Sequence, residues 1–161
     1  RFANKIIVPT YNSEGNLDYF VARSFEKDPS RKYDAPVSDK NIIGFEDMIN
    51  WNVPIILCEG AFDAIAIKRN AIPLFGKNIS EKLMKKLVTT SVNKVYLALD
   101  QDAIKATYKI AEKLLKAGKK LFVIELEDKD PADMGFVHFT NKVQEAQPFT
   151  FPDLFKLKLS L

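Results

Sequence analysis

The chain of 161 residues has room for one domain, or one domain with a smaller subdomain, and at 47% hydrophobic residues it can bury a core. A net charge of +3 is too small to establish nucleic-acid binding by itself, and the single cysteine, Cys58, excludes an internal disulfide and a cysteine-based zinc site. With no signal-like N-terminus and no long apolar run, the expectation is a soluble cytoplasmic protein; the chain opens at Arg1 and stops within an apolar pattern at Leu161, as a piece of a longer protein would.

In chain order, Ile6-Ile7-Val8, the turn residues Asn12-Ser13-Glu14-Gly15 and the alternating Leu17, Tyr19 and Val21 predict a β-hairpin over residues 5–25. Residues 26–41 are polar and broken at Pro29 and Pro36, with Arg23, Arg31, Lys32 and Lys40 in or beside them. Acids and bases nearly cancel over this first part, so an anion site there depends on selected side chains. Phe45, Met48 and Ile49 suit a short helix closed by Trp51.

Ile55-Ile56-Leu57-Cys58 then runs into Glu59 and Gly60, the pattern of a buried strand delivering an acid to a sheet edge. Phe62, Ile65 and Ala66 recur at helical spacing and predict the face of a helix laid on that sheet. Asp63, in its first turn, suits the free N–H groups and dipole found there. Residues 72–75 read as a second strand, closed by Gly76. Ser80 is an N-cap candidate, with Leu83, Met84, Leu87 and Val88 as the apolar stripe behind it and Lys82, Lys85 and Lys86 facing water.

Residues 95–99 predict a third strand ending in Asp100-Gln101-Asp102, and Ile104, Tyr108, Ala111, Leu114 and Leu115 a helix stopped by Gly118. Residues 121–126 predict a fourth strand that runs into the acidic stretch 127–133. Phe136, Phe139 and Val143 form one more helical stripe, on which the only histidine, His138, reads as structural or exposed. Pro148 and Pro152 mark a break before a last apolar segment with Phe151, Leu154, Phe155 and Leu161. Strands alternating with helices predict an α/β fold: an open, mostly parallel four-stranded sheet flanked by helices, with a small N-terminal α+β subdomain. A P-loop and a GxGxxG fingerprint are both absent.

Three strands end in acids: Glu59, then Asp100 with Asp102, then Asp130 with Asp133. In a parallel sheet these ends share the edge at which open α/β folds bind ligands. Singly, each acid has a structural explanation: Asp102 can cap the helix after it, and Asp130 before Pro131 is an ordinary N-cap. Jointly they conflict. Asp100 and Asp102, two apart at a strand end, point the same way, and uncompensated like charges in one cleft are unfavourable. A divalent cation with oxygen ligands resolves the conflict, and without histidine or cysteine partners Mg²⁺ or Mn²⁺ fits. The chemistry expected is on a phosphate, either nucleotidyl transfer or phosphodiester cleavage.

These same segments carry a family resemblance. Glu59-Gly60-Ala61-Phe62-Asp63, Leu99-Asp100-Gln101-Asp102-Ala103 and Asp130-Pro131-Ala132-Asp133 resemble, in order, the E-G-x-x-D, D-x-D and D-P-x-(x)-D segments of the toprim domain, and more narrowly those of DnaG-type primases of bacteria and their phages. Lys5-Ile6-Ile7-Val8-Pro9 with Asn16 to Arg23 is similar to the primase segment leading to its arginine, and Arg31-Lys32-Tyr33-Asp34-Ala35-Pro36 to its P-K-Y-x-N-S-P stretch. The resemblance covers residues 5–135, roughly.

It implies a primase catalytic core that makes short RNA primers on DNA during replication. Glu59, Asp63, Asp100 and Asp102 would be catalytic, Glu59, Asp100, Asp102 and Asp130 would hold divalent metal, and Arg23, Lys32 and Lys40 would meet the nucleotide or the template–primer backbone. A general-base role for Glu59 ranks below the metal role. Residues 1–52 would be the nucleotide- and template-facing subdomain, 53–135 the toprim catalytic domain and 136–161 the start of a C-terminal helical region. Implied partners are a single-stranded DNA template, nucleoside triphosphates, the RNA primer and a replicative helicase reached through other regions, in a bacterial cell or phage-infected host.

Two departures stand out. Gln101 and Ala103 replace the glycine and arginine frequent in the bacterial D-G-D-R form, leaning toward a phage or divergent member, and Asp133 is shifted by one residue. The competing readings are a toprim metal-dependent nuclease and a non-catalytic module binding nucleic acid or a partner. A topoisomerase-like cleaver would need a tyrosine nucleophile, and Tyr11, Tyr19, Tyr33, Tyr96 and Tyr108 all fall in structural segments.

Overall fold

The computed structural model describes residues 2–26, 30–126 and 130–161. Strands β1 (Lys5–Tyr11) and β2 (Leu17–Ser24) pair antiparallel, and β3 (Tyr33–Asp34) adds to β2 with Arg23 opposite Tyr33. Asn12 builds the hairpin turn: its side-chain oxygen accepts the N–H groups of Glu14 and Asn16, each at 3.0 Å, the local bonding that suits Asn to turns. The expected alternation on β2 is interrupted. A register shift at Thr10/Tyr11 separates buried Tyr19 from exposed Leu17. Strand β3 lies in the largely polar stretch for which the sequence predicts no element, and the break expected at Pro29 falls outside the described residues.

The second sheet has the order β5-β4-β6-β7-β8. Strands β4 (Ile55–Cys58), β5 (Ala71–Pro73), β6 (Lys94–Ala98) and β7 (Lys120–Val123) are parallel, the four expected strands. An unforeseen fifth, β8 (Pro148–Phe149), pairs antiparallel with β7 at the edge, a position that tolerates a proline without an N–H. The whole of β4 is buried, and its side chains alternate between two cores. Ile55 and Leu57 pack with α2 (Glu81–Thr89), α3 (Ile104–Lys116) and Leu154 of α6 (Phe151–Leu159), while Ile56 and Cys58 pack with α1 (Ala61–Ile67) and Phe139 of α5 (Phe136–Glu145).

Helix α1 presents a different face from the one expected. Ala61, Ala64 and Ile67 are buried, Ile65 is 50% exposed, and Phe62 turns toward the cleft. Alanines at the contact let the helix lie close to the sheet, with Phe62 and Ile65 turned outward and Ile67 buried. Val88 of α2 is likewise exposed, while Leu83, Met84 and Leu87 are buried as expected. His138 is exposed.

The N-terminal sheet docks beside the end of β5. Tyr19 packs on Phe75 with ring centroids 5.0 Å apart, and the Ser80 hydroxyl donates to the Ile42 carbonyl at 2.6 Å. Gly44 lies so close to the strand that a Cβ there would stand 2.5 Å from the Pro73 carbonyl oxygen. Buried Glu46 accepts charge from Lys82 at 3.0 Å and Lys86 at 3.6 Å on α2. Among the described residues no helix is long and apolar enough to cross a membrane.

Candidate active site

Glu59 directly follows β4, and Gly60 turns the chain into α1. The Glu59 carboxylate accepts the backbone N–H of Asp100 at 3.1 Å, which joins the ends of two neighbouring parallel strands. Asp100 caps a 3-10 turn, Gln101–Ala103, that contains Asp102. Strand alternation therefore does not bring Asp100 and Asp102 together, since β6 ends at Ala98; the turn does. One ligand oxygen each from Glu59, Asp100 and Asp102 lies within 4.8 Å of the others.

The other two acids flank this trio. Asp130 is the N-cap of the single-turn helix α4 (Pro131–Met134): its carboxylate accepts the Asp133 N–H at 2.7 Å, ahead of Pro131 at the first helical position. Asp63 accepts the Gly60 N–H at 2.9 Å, closing the first turn of α1, and is also hydrogen-bonded by the Ala132 backbone. It thereby ties the starts of α1 and α4 to each other.

The electrostatics show surplus negative charge. Burial, then the charge of Asp100, raises the pKa of Glu59; burial, then Asp130 and Asp102, raises that of Asp100. Burial pushes Asp63 up to about 6, against the stabilising Gly60 N–H. Three convergent carboxylates with no nitrogen or sulfur donor suit a hard divalent cation, so the trio is able to hold a metal ion.

The opposite wall supplies cations. Arg23, Lys32 and Lys40 line one cavity of about 530 Å³ together with Glu59, Asp63, Asp100 and Asp130. The Arg23 guanidinium lies 4.7 Å from the Phe62 ring centroid and 5.5 Å from that of Tyr33, held by both aromatic faces. Lys40 donates to the Phe75 carbonyl at 2.9 Å. Arg31, also in this wall, pairs with buried Asp34 at 3.1 Å, as Lys5 does at 3.2 Å.

Two site residues escape the sequence reading. Phe62 reads there as part of a core stripe. Lys77, whose ammonium donates to the Asp102 carboxylate, is not singled out there; the signal that could have found it is its place one residue after Gly76, just past an edge strand whose neighbour β4 delivers Glu59.

Residues 56–134 match a family described as Toprim-like. This stretch is a toprim-like domain. Over a wider span the chain is 28% identical to the DNA primase of Listeria monocytogenes, covering 97% of this chain and 26% of that protein. It is 33% identical to an uncharacterised protein of Mycoplasma pneumoniae, covering 74% and 61% respectively. Its fold matches a DNA primase domain from Pseudomonas aeruginosa at 26% identity with a TM-score of 0.69, covering 92% of this chain and 53% of that one. The likeness of the toprim-like segment to DnaG-type primase cores, expected from motif order, is thus borne out by relatives and by fold. The chain spans about a quarter of the curated Listeria primase.

Proposed function

We propose that this chain is the catalytic core of a DnaG-type primase, joining ribonucleotides on a single-stranded DNA template by divalent-metal-dependent nucleotidyl transfer. The observation that supports it most directly is one cavity lined both by the acids Glu59, Asp100 and Asp130 and by the cations Arg23, Lys32 and Lys40, with Asp102 within ligand distance of Glu59 and Asp100. In this reading residues 1–52 face nucleotide and template, 53–135 catalyse, and 136–161 begin a helical region.

Glu59, Asp100 and Asp102 hold Mg²⁺ or Mn²⁺, with Asp130 supporting from α4. When bound, the metal supplies charge stabilisation for a phosphate undergoing substitution. Arg23 grips phosphate oxygens with a fork that its aromatic neighbours keep in place. Lys32 and Lys40 add positive charge along the path of a polyanion. Asp63 keeps the Glu59–Gly60 turn in shape by holding the Gly60 N–H, and Glu59 ties its own strand end to that of Asp100.

The test is a product assay. The full-length protein, given single-stranded DNA, labelled nucleoside triphosphates and Mg²⁺, is expected to make short RNA. Release of nucleotides from labelled DNA without synthesis would instead assign a nuclease, and inertness in both assays with intact DNA binding would assign a non-catalytic module.

A further inference from the structure

Lys77 belongs to none of the segments that carry the family resemblance, yet its ammonium donates to Asp102, one of the three acids of the edge. Its position is built rather than casual. The chain leaves β5 through Phe75, which adopts a left-handed φ of 54°, and Gly76, with φ of 140°. The Gly76 N–H donates to the Glu59 backbone carbonyl at 3.2 Å. On the other side, the Phe75 carbonyl accepts Lys40 at 2.9 Å. A backbone held in sparsely populated conformations needs such surrounding support. The bond from Gly76 means that the residue supplying the first acid also places the lysine.

Charge decides what that lysine does. Three ionised carboxylates within 4.8 Å of one another carry three negative charges. One divalent ion leaves one of these uncompensated, and two divalent ions, as in two-metal sites, overshoot by one. One divalent ion plus Lys77 balances the trio; Asp130, the fourth acid, lies outside this group and shares the cavity with Arg23, Lys32 and Lys40. Lys77 also takes Oδ2 of Asp102, leaving that residue its second oxygen for an ion.

We infer that Lys77 is a resident counter-cation that limits the acidic edge to a single divalent ion, occupying the place beside Asp102 where a second ion would sit. This rests on the metal-site reading of Glu59, Asp100 and Asp102. It predicts that removing the lysine charge opens the site to more metal or to tighter binding.

The experiment is a Mn²⁺ titration of the purified chain followed by electron paramagnetic resonance, with circular dichroism to verify folding. The wild type is expected to bind one Mn²⁺. K77M, and K77Q as a second neutral variant, are expected to bind a second ion or to bind the first about tenfold more tightly, the scale of one unit charge acting on a divalent ion across an exposed site. K77R, which keeps the charge, is expected to bind one ion as the wild type does. Lys77 is half exposed, so these exchanges leave the core intact. An unchanged number and affinity of Mn²⁺ in K77M and K77Q, or two ions of comparable affinity in the wild type, overturns the inference while leaving the metal site standing. A wild-type protein that binds no Mn²⁺ overturns the metal reading itself, and this inference with it.

Discussion

The carboxylate of Glu59 accepts the backbone N–H of Asp100 at 3.1 Å, so the first acid of the site is also the clasp that fixes the second. Charge and geometry can be separated here. E59Q keeps an acceptor for that N–H and is expected to stay folded while losing Mn²⁺ affinity by about tenfold or more. D100A is expected to abolish binding with the fold intact. Both are read by metal titration beside circular dichroism; unchanged titration in D100A removes the metal assignment.

Asp63 makes stability depend on pH. Its folded-state pKa is about 6 against an ordinary 3.8, so the folded chain keeps the proton where the unfolded chain has lost it. The stabilisation from that proton is fully present below 3.8 and is lost as pH rises through about 6. Discounted for solvent screening, the loss is about 1 kcal/mol. Glu59 and Asp100 shift in the same direction, so D63N is expected to reduce the slope of stability against pH rather than remove it. Urea midpoints of wild type and D63N, measured in chelator across pH 4 to 7, test this; parallel curves would count against it.

The Arg23 guanidinium lies over two aromatic rings, and in the proposed function its planar fork holds phosphate. R23K is expected to weaken nucleoside triphosphate binding by about tenfold, because a lysine keeps the charge and loses the bidentate geometry. Fluorescent-nucleotide titration measures it, with Mn²⁺ affinity as the control that should not move.

Cys58, the last residue of β4, is fully buried, and burial pushes its thiol well above the ordinary range. It is expected to be inert to a chromogenic disulfide reagent in the native protein and to react with one equivalent in guanidinium. Rapid native labelling would contradict the placement of β4 inside the sheet, between β5 and β6.

Gly44 is the contact at which the N-terminal segment meets Pro73. A methyl group there would press on backbone and ring atoms of the proline, so G44A is expected to cost about 1–3 kcal/mol in urea unfolding. Gly15, with a positive φ and open space around it, offers a contrast, since alanine there strains the turn without disturbing packing.

Much of this site is legible in the sequence because strand ends are. Apolar runs that stop at an acid mark the edge, and the parallel order follows from helices between them; Glu59, Asp100 and Asp130 are picked out this way as candidates. The reason for pairing Asp100 with Asp102 was different from the one spacing suggests, because a 3-10 turn and a strand end both place residues two apart on one side. What periodicity cannot register is contact between distant segments. Arg23 over Phe62 joins the two sheets, and Lys77 beside Asp102 joins two crossovers. The two-residue strands β3 and β8 are too short to show any pattern and exist only because a longer neighbour offers them an edge.

The clasp between Glu59 and Asp100 spans 41 residues of chain. Parallel pairing of β4 with β6 is a non-local event, and loop closure must precede any contact that rewards it. A chain that has formed its hairpin and its helices but not that pairing has three scattered acids and no common edge. In a refolding time course, Mn²⁺ uptake at the proposed site is therefore expected not to run ahead of sheet assembly, so that an ion bound there would serve as a clock for the moment at which the topology closes.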